Sequence, residues 1–154
     1  TSQSSEKIGL NITSYDNGAF DDVNSDYLNY EPEKVYYKDI EKAIIKKIDD
    51  ELSGINEYNR TESVHSRRFI YTSPTCISLA HFMLRNNILD CKFFLRSSNT
   101  KDTLKYDLNF LKHLSKSVYN FLNLQTARAR IKVVINSAHL PLIIDETKEI
   151  LNEN

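Results

Sequence analysis

Two residues in the middle of the chain would do chemistry together if the fold brings them side by side: the thiol of Cys76 and the guanidinium of Arg96. A neighbouring guanidinium favours the nucleophilic thiolate over the thiol, and it offers a forked donor to phosphate or carboxylate oxygens. Whether the two meet depends on what lies between them. Residues 76–84 and 88–97 are apolar-rich stretches separated by Arg85-Asn86-Asn87, and asparagine tolerates the positive φ that a tight hairpin turn demands. With Asn86 and Asn87 as the loop, Arg85 stands opposite Ile88, and the register carries Cys76 to Ser97. Alternation sends Arg96 and Ser97 to opposite faces, so twist or a bulge decides which of them the sulfur meets. Cys91 then pairs with Phe82, roughly 20 Å up the strand from Cys76 at ordinary strand rise, which is too far for a disulfide. Spacing alone leaves a second reading open, in which Cys76 is a small buried residue and Arg96 merely closes a strand end.

The surrounding pattern supplies the elements that must position this pair. Over residues 38–52, Ile40, Ala43, Ile44, Ile48 and Leu52 recur at helical spacing with charges between them, and Gly54 can end the helix. Residues 55–66 are polar and aperiodic, a loop, and Arg67-Arg68-Phe69-Ile70-Tyr71 follows as a short strand. Residues 104–124 carry Leu104, Leu108, Leu111, Leu114, Val118 and Phe121 in steps of three or four, the stripe of the longest helix. Residues 131–135 are mostly β-branched, fit for a buried strand, and 145–151 read as a short helix with an acidic start. Residues 1–34 are rich in Ser, Asn and Asp and read as a flexible or loosely docked arm ahead of a domain spanning 35–154. The expected class is α+β, a mixed or antiparallel sheet packed by a long helix.

Bulk properties narrow the function classes. A chain of 154 residues with 40% apolar content can bury one core. Its 20 basic and 21 acidic residues nearly cancel, so no overall field would gather nucleic acid or an acidic membrane surface. No apolar run approaches the roughly 20 residues a bilayer span needs, and two cysteines are too few for a stapled extracellular scaffold. The expectation is a cytoplasmic protein, with no membrane or nucleic-acid partner. Its histidines show no metal-ligand spacing with cysteine or carboxylates, so no metal is expected. The Asn-, Lys-, Ile- and Tyr-rich composition suits an AT-rich phage or bacterial genome.

Ser73-Pro74-Thr75-Cys76, then Arg96-Ser97-Ser98-Asn99, then Leu104-Lys105-Tyr106-Asp107 follow one another in the order and at the gaps seen in a family of pyrimidine-modifying enzymes. Ser66-Arg67-Arg68 upstream and Ser137-Ala138-His139 downstream extend the likeness over residues 66–141. On these motifs the chain resembles a shortened, divergent member of the thymidylate synthase and dCMP or CMP hydroxymethylase superfamily. The resemblance implies a thymidylate synthase-like domain in which Cys76 adds to C6 of a pyrimidine nucleoside monophosphate and activates C5 toward a one-carbon donor. That donor would be a reduced folate, 5,10-methylenetetrahydrofolate. Arg96 and Ser97 would hold the 5′-phosphate together with Arg67 and Arg68 of a partner chain, which implies a homodimer. Asn99 would support the phosphate motif, and His139 would help position the sugar or ordered water. Asp107 stands where uracil-specific members carry Asn and cytosine-specific members Asp, since a carboxyl oxygen accepts from the cytosine N4 amino group. From the residues alone, Asp107 serves equally as an N-cap of the long helix.

The chain departs from the family pattern in ways that bear on function. Lys105 replaces a Pro, Asn99 an Asp, and Pro141 a tyrosine that contacts the ribose. There is no Trp to line a folate site, and neither the family's catalytic Glu nor its N-terminal phosphate-binding Arg has an evident counterpart. Two functions from different classes therefore stand: an enzyme acting on C5 of a cytosine or uracil nucleotide, or a noncatalytic homodimer serving as nucleotide sensor or interaction module.

Overall fold

The computed structural model describes residues 4–16, 26–53, 68–99 and 103–141, with side chains for all of these except 4–16, 26, 99 and 138–141. The local logic of the hairpin is as expected. Asn86 and Asn87 adopt φ of 54° and 58°, the left-handed pair of a two-residue type I′ turn. With strands numbered along the chain, β3 (Ile77–Arg85) returns as β4 (Ile88–Asn99), Arg85 opposite Ile88 and Phe82 opposite Cys91. Both cysteines are free thiols.

Helix α2 (Leu104–Phe121) carries the chain back from the end of β4, so that β5 (Arg128–Pro141) lies parallel to β4. This is the crossover that a parallel pair requires. The strand read at residues 131–135 is thus the middle of a longer one. On its far side β5 pairs antiparallel with β1 (Ser4–Asp16), and β2 (Ile70–Thr72) edges β3, giving a mixed sheet ordered β1-β5-β4-β3-β2. The stretch read from composition as an arm thus contributes an edge strand. The short strand read at 67–71 begins only at Ile70. The helix read at 145–151, the whole 55–66 loop and Arg67 lie outside the described residues.

Helix α1 spans Lys34–Leu52, four residues longer at its start than the stripe implied, and buries Tyr37, Ile40, Ile44, Ile48 and Leu52. These meet Phe110, Leu111, Leu114 and Val118 of α2 and the inward residues of β3, β4 and β5 in one core. Spacing of three and four keeps each stripe facing the sheet, where burial contributes about 2 kcal/mol per large aliphatic side chain. Two polar links fix this arrangement. Glu41 of α1 meets His113 Nε2 at 3.1 Å and accepts from Ser117 Oγ at 2.9 Å, tying the helices. Arg130 donates to both oxygens of Asp90 at 3.1 and 2.6 Å, tying β5 to β4.

Candidate functional site

The register expected to set Cys76 against Ser97 slips by one residue. Pairing runs true from Arg85 down to Leu79 opposite Phe94, but Ile77 then sits opposite Leu95, leaving Ser78 as an extra residue in β3. Burial accounts for the bulge: it turns Ile77, 1% exposed, into the core beside Leu95 instead of leaving that place to Ser78. Beyond the bulge Cys76 meets Arg96, whose backbone N–H donates to the Cys76 carbonyl at 2.7 Å.

The segment carrying the thiol is tied on every side. Ser73 N–H donates to the Ser78 carbonyl at 2.9 Å, and Ser78 Oγ donates to the Thr75 carbonyl at 3.0 Å. Tyr36 of α1 reaches across to it. Its hydroxyl lies 2.7 Å from Thr75 Oγ1 and accepts the Ile77 N–H at 3.0 Å, bracketing Cys76 from the residues either side. Arg96 Nη1 donates to the Pro74 carbonyl at 3.2 Å. Glu33, Tyr36, Thr75, Cys76 and Arg96, with Pro32 and Pro74, line one open depression of about 380 Å³. That lies near the lower end of the volumes that hold small ligands. Cys76 is half-buried there, whereas Cys91 is sealed in the core, its thiol pushed up to about 12 by burial. Of the two thiols, that of Cys76 is open to a ligand in the depression and that of Cys91 is not.

The remaining residues singled out in the sequence are placed less uniformly. Ser97 is half-buried and pairs with Ser137 across β4 and β5; Asn99 pairs with His139 in the same ladder. Arg68 is exposed, immediately before buried Phe69, and is not among the residues lining the depression. Asp107 is 8% exposed and turned into the interior, its Oδ1 accepting from Tyr37 at 2.6 Å and its Oδ2 from Ser98 at 3.1 Å. It does not cap α2, whose N-cap is Thr103. Tyr37 is itself buried, stacked on Phe110 with ring centroids 4.5 Å apart.

Sequence reading missed Glu33, Tyr36 and Tyr37. All three precede residue 38, where the spacing predicts the helix to begin, although Tyr37 extends the spacing of Ile40 and Ile44 by one step. Glu33 occupies the N-cap position of α1 but makes no capping hydrogen bond with its side chain. Burial first, and then the charge of Asp107, hold its carboxyl above the ordinary range. Burial also raises the Tyr36 phenol, against the hydrogen bonds of Thr75 and Ile77 that lower it.

Burial raises the Asp107 carboxyl as well, outweighing the lowering effect of the Tyr37 and Ser98 hydrogen bonds. A carboxyl raised in the folded state contributes stability that is complete below its unfolded pKa and is lost as pH rises through the folded one. Asparagine imitates the neutral form, accepting from Tyr37 and donating to Ser98. Asp107→Asn is therefore expected to stabilise the fold near neutral pH by about 1 kcal/mol, an advantage that shrinks in mild acid. Urea denaturation at both pH values reads this; a penalty at neutral pH that shrinks in mild acid would instead show that the charge itself helps hold α2.

No family model matches the sequence, and no curated protein matches it. Among solved structures, thymidylate synthase from T4 phage matches with a TM-score of 0.55 and 15% identity, over 94% of this chain and 71% of that one. The chain thus has a thymidylate synthase-like α+β fold, and at this identity the likeness is one of fold. No helix among the described residues is long and apolar enough to cross a membrane.

Proposed function

We propose that the protein binds a pyrimidine nucleoside monophosphate in the depression at Cys76, and that Cys76 adds reversibly to C6 of the base. The observation that carries this reading is the bulge that sets Arg96, not Ser97, against Cys76, so that thiol and guanidinium line one depression. Arg96 takes the 5′-phosphate, with Ser97 and Asn99 at the end of the same strand. Arg67 and Arg68 complete the phosphate site from the partner chain of a homodimer, and His139, adjacent to Asn99 in the ladder, serves the sugar.

In the reaction the Cys76 sulfur forms a bond to C6, the C5–C6 double bond opens, and its electron pair is held at C5 and at O4 of uracil or N3 of cytosine. C5 takes a proton from water. In the reverse direction a proton leaves C5, the double bond re-forms and the thiolate departs, so that the net result is exchange of the C5 hydrogen with solvent.

A folate donor does not fit the depression as built. Of its lining residues only Tyr36 is aromatic, leaving a pterin ring without a stacking wall among the described residues. The same feature favours a second reading, a nucleotide sensor without turnover.

Release of tritium from C5-labelled dCMP or CMP by the purified protein, lost in Cys76→Ala, is the expected result. Binding of the nucleotide without release would establish the sensor, and absence of both would overturn the reading altogether.

A further inference from the structure

Resting on that reading, we propose that Glu33 is the residue that selects cytosine, its carboxyl oxygen accepting from the exocyclic N4 amino group of the bound base. Glu33 and Asp107 feel one another electrostatically, and the fold treats the two carboxyls oppositely. Asp107, the position that sequence resemblance assigns to this task, has each oxygen engaged by a hydroxyl of the chain itself and is 8% exposed. Tyr37, which donates to it at 2.6 Å, is 0% exposed and stacked on Phe110, so that hydrogen bond belongs to the core. Glu33 lines the depression beside Cys76 and Arg96, and its carboxyl is not spent on capping α1. It also lies within electrostatic reach of Asp107.

The chemistry of the two bases makes the choice directional. Cytosine presents an amino donor at C4, which a carboxylate oxygen accepts; uracil presents the O4 lone pairs there, which a carboxylate oxygen repels. A single anionic acceptor at this point is enough to separate them, because the unfavourable pair is left both unbonded and desolvated. Glutamine at the same position offers a donor and an acceptor and can turn either toward the base.

Titration calorimetry of the full chain with dCMP and dUMP tests the proposal. The natural protein is expected to prefer dCMP by about tenfold. Glu33→Gln is expected to bind the two within about twofold, and Glu33→Ala to weaken dCMP while sparing dUMP. Asp107→Asn is expected to keep the natural preference. Should Glu33→Gln keep it and Asp107→Asn abolish it, base reading belongs to Asp107 and the proposal is overturned. It is equally overturned if the natural protein does not discriminate. In either case binding that still depends on Arg96 leaves the nucleotide-site reading standing. If neither nucleotide binds the natural protein, both ideas fall together. Circular dichroism of each variant confirms that it is folded, and the two Glu33 variants report independently of one another.

Discussion

Tyr37→Ala is expected to cost the fold about 4 kcal/mol, the upper part of the range for removing a fully buried aromatic ring. The ring is 0% exposed, lies 4.5 Å from Phe110 in a near-parallel stack and meets Tyr27 edge-on at 5.9 Å. Truncation to alanine opens a cavity where α1, α2 and the turn at Asp26–Asn29 converge, and close-packed neighbours collapse into such a space only in part. It also strips the donor from Asp107 Oδ1, leaving a buried carboxylate with Ser98 alone. Tyr37→Phe separates the two losses, keeping the ring and removing only the hydroxyl, at about 1–2 kcal/mol. Combined with Asp107→Asn, the hydroxyl's loss should become cheaper, because no charge is then left short of a donor. Urea midpoints at constant slope read all of these. A cost under about 2 kcal/mol for Tyr37→Ala would mean that the ring is not the joint between the two helices.

That joint shows where the sequence stops being informative. The Asn86-Asn87 turn and the register it sets are local: two residues that accept positive φ dictate which positions face each other for most of the hairpin. The stripe of α2 is equally local, and its predicted and observed starts coincide at Leu104. The bulge at Ser78 is not local. Ile77 and Ala80 are both buried though three apart, and that break of the two-residue period becomes meaningful only once the core that Ile77 enters is known. The strand β1 had a signal in the alternation of Ile8, Leu10 and Ile12, but its partner β5 lies more than a hundred residues on, and the polar residues around it weigh toward an arm. The handling of Asp107 was the least legible. Which hydroxyl satisfies a buried carboxylate depends on Tyr37 arriving from a helix seventy positions earlier, and neither motif nor spacing reports that.

Arg96→Ala is expected to weaken binding of a pyrimidine nucleoside monophosphate by roughly 100-fold, about 3 kcal/mol, while leaving the nucleoside's own affinity unchanged within about twofold. The contrast follows from what the guanidinium contributes in the proposed site, a forked, charge-assisted pair of donors to phosphate oxygens and nothing to the base. Few other positions allow so clean a removal. The Arg96 side chain is exposed and its Nη1 bond is to the Pro74 carbonyl, while the contact that sets the strand opposite Cys76 is made by the backbone N–H, which alanine retains. Stability should therefore stay within about 0.5 kcal/mol of the natural protein, so that a loss of affinity reads as lost recognition and not as unfolding. Arg96→Lys keeps the charge but not the fork and should fall between the two, with binding that weakens as salt is added. Equal losses for nucleotide and nucleoside would place Arg96 against the base or in the framework. An unchanged nucleotide affinity would remove the phosphate from this depression, and with it the reason for a thiol and a guanidinium to share one site.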